Sequence, residues 1–281
     1  MFIWGIPPSL LFVLILKLTF TDAIIMSSPY PKIGFVGCGT IAAAICTGLA
    51  KTTDSTFHVS VRSKAKSEAL ASTFSTVTVE TMNQAIVDKC DLVFLCVLPA
   101  HVDEVLGGLT FDPERHTLVS LVSTSKVPDL IEKSGLGPER VHKMICLPSV
   151  ATSDGTCLMT PPSSTLKALL DNLGGCVECE SEKILTTMMI PTCMMGPYYR
   201  LLKEMKDFMR DNGVPEADAS YFAARTFLGI AKDAEAGCKD PKHFEPKRGH
   251  GGGGGGGGGP FFFGGLRSYR SRSSALAEGE G

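Results

Sequence analysis

The sequence predicts an α/β chain: a doubly wound sheet domain followed by a smaller all-α domain. Three stretches carry that expectation. Residues 32–49 read as an apolar strand, a glycine-rich turn and a helix of small residues. Residues 91–97 form a near-continuous apolar run, as a parallel strand buried on both faces must. From Glu182 onward short strand patterns give way to long helical periodicity.

The 281-residue chain exceeds one average domain of roughly 100–200 residues. It divides into 1–25, an apolar leader or over-extended start; 26–180, the sheet domain; 181–237, the helical domain; and 238–281, a glycine-rich tail. Residues 10–16 are apolar, but no positive charge precedes them and they fall short of the ~20 residues that cross a bilayer. Met26 reads as a natural start for a cytoplasmic enzyme, with an organelle or secretory leader as the other reading of 1–25. The polyglycine at 251–259 gains nothing on folding and loses maximal backbone entropy, so the tail is expected to be disordered.

A formal net charge of −2 argues against a nucleic-acid partner, which requires a clustered basic face. The ten cysteines are scattered through strand and helix patterns rather than framing loops, which suggests reduced thiols. Cys176 and Cys179 make a lone Cys-x-x-Cys, read as strand packing rather than a metal site.

In the opening stretch, Ile33, Phe35 and Val36 form the strand and Gly37 and Gly39 the turn, with the helix beginning at Thr40. Such a turn aims unbonded helix N–H groups at one point, where a pyrophosphate can sit. Ala42 replaces the third glycine of the dinucleotide motif and still permits close helix–strand packing. A second strand at 57–61 completes a βαβ unit of Rossmann type. At its end, where a carboxylate would bind a ribose 2′-hydroxyl and signal NAD, stand Arg62, Ser63 and Lys64. A guanidinium suits a 2′-phosphate, so NADP is the expected cofactor, with NAD possible. The plainer reading makes these residues the solvated start of the next helix.

A third strand at 76–79 and a helix at 81–89 containing Asn83 follow, then the buried strand at 91–97 and a helix from His101 to Leu106. His101, at a loop–helix junction, reads as a cap or a solvated side chain. A strand at 117–122 ends in Ser123, Thr124 and Ser125, good N-caps for a helix at 127–133. Strands at 141–147, 155–159 and 176–178, with a helix at 164–173, complete the sheet region. Beyond Glu182, Met194, Tyr198, Leu201, Leu202, Met205, Phe208 and Met209 share one helical stripe, and Asn212-Gly213 stops it. A second helix from Pro215 presents Ala219, Phe222, Ala223, Phe227 and Ile230 along one face. Two helices cannot bury those faces alone.

The glycine turn, Asn83, and residues 91–99, 120–125 and 143–155 together resemble the pyrroline-5-carboxylate reductase family, over roughly residues 32–233. The resemblance implies reduction of a cyclic imine to proline with NAD(P)H. It implies that Val36, Gly37, Cys38, Gly39, Thr40 and Ile41 hold the pyrophosphate, and that Arg62 and Ser63 hold the adenosine end. Asn83, Cys96, Val97, Leu98 and Pro99 would meet the middle of the cofactor, and Leu121, Val122 and Ser123 its nicotinamide side. It also implies a homodimer through the helical domain. Ser123, Ser149 and Thr192 are the hydroxyls expected near the nicotinamide.

The departures lie mostly on the substrate side. Leu98 stands where the family has a basic residue, and Leu147-Pro148-Ser149 where it has Met-Pro-Asn. Polyglycine stands after Ala236 in place of the family's Pro-Gly-Gly-Thr-Thr loop, so the substrate half is expected to be divergent and truncated. Two other readings remain: a catalytically impaired NADP-binding relic or regulator, and a β-hydroxyacid dehydrogenase. The second wants Lys-x-x-x-Asn on the long helix, where this chain has Lys203 and Asp207. No metal and no membrane partner is expected.

Overall fold

The computed structural model describes residues 27–240; the expected leader and the polyglycine lie outside the described residues. One compact unit ends at Cys193 and a second begins at Met194.

The first unit is built on an eight-stranded sheet. Its strands are β1 (Lys32–Val36), β2 (Thr56–Ser60), β3 (Val77–Glu80), β4 (Leu92–Leu95), β5 (Thr117–Ser120), β6 (Val141–Ile145), β7 (Cys157–Thr160) and β8 (Cys176–Glu178). They lie in the order β3-β2-β1-β4-β5-β6-β7-β8. Every pairing is parallel except β6 with β7. That reversal goes with the connection: a parallel crossover is usually carried by an α-helix, whereas the helical segment between β6 and β7 is only the 3-10 turn Pro148–Thr152.

Helices α1 (Thr40–Thr52), α2 (Lys64–Thr73), α3 (Asn83–Lys89), α4 (Val102–Gly107), α5 (Val127–Ser134) and α6 (Ser164–Leu170) cover the two faces. The apolar run of β4 divides between them. Leu92 and Phe94 join Ile33, Phe35, Ile45 and Leu49 in one core. Val93 and Leu95 join Val36, Ile86, Leu106 and Leu118 in the other. Phe35 stacks on Phe94 across β1 and β4, centroids 5.0 Å apart. Each such fully buried ring contributes about 1.5–3 kcal/mol relative to exposure.

Several boundaries differ from the sequence reading. Val61 leaves the second strand: Val61–Ser63 is a 3-10 turn whose Arg62 N–H donates to Ser60 Oγ at 3.4 Å. The expected serine cap of α5 is not formed, because the cap position is Lys126. The Val127 N–H donates instead to Glu182 Oε2 at 3.3 Å, a carboxylate supplied from far along the chain. Glu182 opens α7 (Glu182–Met189), whose buried Leu185 packs with Leu158 and Cys179. The change of periodicity at residue 181 therefore marks a helix of the first unit, and the second unit starts later.

The second unit is a hairpin of α8 (Met195–Asp211) and α9 (Glu216–Gly237). Gly213, at φ 89°, makes the turn that Asn212-Gly213 predicted. Only part of the expected α9 face is covered. Ala219 and Ala223 are buried and Phe227 meets Tyr198 edge-on at 5.4 Å, whereas Phe222 and Ile230 are exposed. Among the described residues no helix is long and apolar enough to cross a membrane.

At the sheet edge Glu80 ends β3 and accepts hydrogen bonds from His58 Nδ1 at 2.8 Å and Lys89 Nζ at 2.7 Å. Burial pushes its carboxyl up, but the Lys89 and His58 contacts outweigh burial and the net shift is downward. A depressed carboxylate contributes stability above its unfolded pKa of about 4.3 and loses it as pH falls through the folded value. Glu80→Gln is therefore expected to cost about 1–2 kcal/mol in urea unfolding at pH 7, and the gap from wild type should close below pH 4. A gap that stayed constant across this range would show that the carboxylate charge contributes nothing.

Candidate functional site

At the end of β1 the chain turns at Gly37, φ 93°, a conformation that strains any residue with a side chain. A Cβ there would sit 2.6 Å from the Cys96 carbonyl oxygen, so the ends of β1 and β4 touch through this glycine. Gly39 then caps α1 in an extended conformation with no side-chain cap bond. The first helical bond runs from Ala43 N–H to Gly39 O at 3.0 Å. The N–H groups of Thr40, Ile41 and Ala42 thus lie in the unbonded first turn, with no acidic residue among them. A Cβ on Gly39 would meet nothing within 4 Å. The space beside Gly39 is open, and the unbonded donors of this first turn are backbone N–H groups.

Two neighbours complete the turn. Ala42, in the place of the third glycine, is buried against the sheet. Burial pushes the Cys38 thiol up, with Lys66 pulling it part of the way back. Cys38 is accordingly a neutral packing residue beneath the turn and adds no anionic charge that would repel a phosphate.

On one side of the turn the rim is cationic. Arg62 is exposed after β2, with Ser63 half-buried beside it. From α2, Lys66 Nζ reaches back to donate to Thr40 Oγ1 at 2.7 Å. Arg62 Nη2 lies 3.0 Å from His101 Nε2, at the start of α4. Asn83 is the half-buried first residue of α3. Cys96 and Val97 are half-buried after β4, and Leu98 and Pro99 are exposed there. Lys66 and His101 are the residues that sequence reasoning missed as rim contributors; the i+4 step from Arg62 to Lys66 was the available signal for the first.

Toward the other side, Leu121 N–H donates to Leu95 O at 2.9 Å and the buried Val122 N–H to Ser120 Oγ at 3.2 Å. These bonds hold Ser123 exposed at the end of β5. Ser149 is exposed in the 3-10 turn after β6. Because β5 and β6 are paired and parallel, Ser123 and Ser149 share one edge of the sheet. Thr192 is placed differently: it lies in the turn Ile190–Met194, and its hydroxyl donates to Met189 O at 2.7 Å. Behind the edge, the buried Lys143 Nζ donates to Ser125 O at 2.8 Å and to Glu182 Oε1 at 3.2 Å. This network ties the segment after β5 to β6 and α7.

Strand ends that converge on an amide-lined turn, flanked by cations, suit a nicotinamide dinucleotide. Comparison with known proteins agrees. Residues 32–124 match a family model described as NADP oxidoreductase, coenzyme F420-dependent. The chain is 28% identical over 216 residues to the pyrroline-5-carboxylate reductase of Escherichia coli, spanning 72% of this chain and 78% of that protein. It is 25% identical over 225 residues to the enzyme of that name from Corynebacterium melassecola, spanning 74% and 82% respectively. Among solved structures, pyrroline-5-carboxylate reductase from Streptococcus pyogenes shares the fold, with TM-score 0.66 at 22% identity over 88% of this chain and 95% of that one. The Plasmodium falciparum pyrroline carboxylate reductase, solved with NADP bound, gives TM-score 0.63 at 18% identity over 88% and 92%. The glycine turn, the order of the strands and these likenesses together make the chain similar to the pyrroline-5-carboxylate reductases and support its reading as an NAD(P)-dependent oxidoreductase.

Proposed function

We propose that this protein uses NADPH to reduce a cyclic imine, 1-pyrroline-5-carboxylate, to proline. The observation that carries the cofactor choice is the rim after β2, where Arg62 and Lys66 stand beside the glycine turn and no carboxylate ends the strand. The names of the curated relatives supply the substrate. Bound NADPH would supply a hydride to the imine carbon. The protein's part is orientation and exclusion of water rather than nucleophilic attack. Ser123 and Ser149, exposed on one edge of the sheet, are the hydroxyls we assign to hydrogen-bond the substrate. The imine nitrogen is basic enough to arrive protonated, so no strong general acid is required. Thr192, whose hydroxyl proton is already donated, retains only acceptor capacity.

The helical hairpin leaves Tyr199, Tyr221, Phe222 and Ile230 exposed, an apolar surface that a second copy of the chain would cover in a homodimer. Binding of NADPH and NADH, and NADPH oxidation dependent on 1-pyrroline-5-carboxylate, should be measured on one preparation. Turnover with the imine, and NADPH bound more tightly than NADH, are expected. Arg62→Asp should weaken NADPH by about 10- to 100-fold, the loss of a charge-assisted contact worth about 1.5–3 kcal/mol, with little change for NADH. Equal losses for both cofactors would remove the case for a 2′-phosphate contact, and binding without turnover would remove the substrate.

A further inference from the structure

His101 and Arg62 come from opposite sides of the glycine turn. The strands that precede them, β4 and β2, are the two neighbours of β1 in the sheet, so their carboxyl ends flank the turn. The Arg62 Nη2 to His101 Nε2 contact of 3.0 Å spans that opening. A guanidinium only donates, so Nε2 is the acceptor and the ring carries its proton on Nδ1. Nδ1 is the nitrogen that faces Glu104 Oε2, at 3.5 Å. The tautomer is thus consistent with both contacts.

This partner is unusual for an arginine at such a place. A carboxylate would orient the guanidinium but would also neutralise it and compete with an incoming anion. A neutral imidazole orients it and leaves its charge whole, with the other N–H donors free to fork onto a phosphate. We propose that His101 is a specificity-determining positioning residue: it pins the Arg62 guanidinium across the turn so that NADPH, with its 2′-phosphate, is bound in preference to NADH. The inference rests on the NADP reading above and adds the residue that makes Arg62 selective. Without the pin, a long exposed side chain must be ordered at the moment of binding, and the preference falls.

Three variants of the full chain, with calorimetric titration of NADPH and of NADH, test it. His101→Leu removes the acceptor and should lower NADPH affinity about tenfold, the effect of losing one hydrogen bond to a charged group, with NADH within about twofold. His101→Gln restores an acceptor oxygen and should recover most of the loss. His101→Glu keeps an acceptor but neutralises the guanidinium, and should lose at least as much NADPH affinity as the leucine variant; it also carries the test if the leucine variant fails to fold. A NADPH preference that survives both His101→Leu and His101→Glu overturns the inference while leaving the NADP reading intact. No preference in the wild type overturns the NADP reading and the inference with it. A glutamine variant no better than leucine overturns the acceptor role.

Discussion

Gly39→Val is expected to leave the fold standing and to weaken NADPH binding by at least about 100-fold, or roughly 2.7 kcal/mol. The first half follows from the backbone. Gly39 has φ −78°, which any residue adopts, and a Cβ there meets no protein atom within 4 Å. The cost to stability is that of exchanging a tolerated N-cap for a poor one, about 1 kcal/mol. The second half follows from the same emptiness: the valine methyls would occupy the volume in front of the Thr40 and Ile41 amides, where a pyrophosphate must come within hydrogen-bonding distance. Gly37→Val is the contrasting variant. It forces a side chain into positive φ and against the Cys96 carbonyl oxygen, so it should destabilise the fold by several kcal/mol and lose binding for that reason. Thermal melts with and without NADPH separate the two. A Gly39→Val protein that kept the wild-type affinity would mean that no phosphate approaches this turn.

The contrast also shows what the sequence made legible. A glycine in Gly-x-Gly is needed either by the chain or by a ligand, and the spacing alone does not say which. The strand–turn–helix itself could be read because each step has a local cause: a short apolar run with Ile33 and Phe35 on one face and Val36 on the other, a tight turn, then small residues on α1. The both-face burial of β4 was visible for the same reason. The antiparallel course of β7 was not readable, because the connection before it is as long as the one between β3 and β4, which does hold a helix. Pairings set by topology were not readable. Arg62 and His101 are 39 positions apart and meet only because β2 and β4 flank β1. Ser125 looked like the cap of α5 by local rules, yet a carboxylate 55 positions after Val127 took that role. Local propensity ranks the candidates for a cap; the fold decides which of them is in reach.

That carboxylate sets the second large effect. Lys143 lies in the middle of β6 between Ser120 and Thr160, and its side chain is 6% exposed. Its ammonium has two oxygen partners, Ser125 O and Glu182 Oε1. Removing Glu182 strips the buried cation of its counter-charge and the α5 N-terminus of its acceptor, and breaking such a pair from one side costs about 3–5 kcal/mol. Glu182→Ala should therefore cost about 3–4 kcal/mol in urea unfolding at pH 7. Glu182→Gln, which still accepts from the Val127 N–H, should recover the capping part alone, about 1 kcal/mol. Lys143→Met should cost less than Glu182→Ala, because Glu182 is 30% exposed and water can solvate it once its partner is gone. The double variant Lys143→Met/Glu182→Gln should be more stable than the two single losses added together, since no buried charge then remains unpaired. The network also holds the segment that ends in Ser123 to Ser125, so a folded Lys143→Met protein should bind NADPH more weakly through that side of the site. Strict additivity across the cycle would show that Lys143 and Glu182 do not act as a pair, and would leave α5 capped by a carboxylate with no further role.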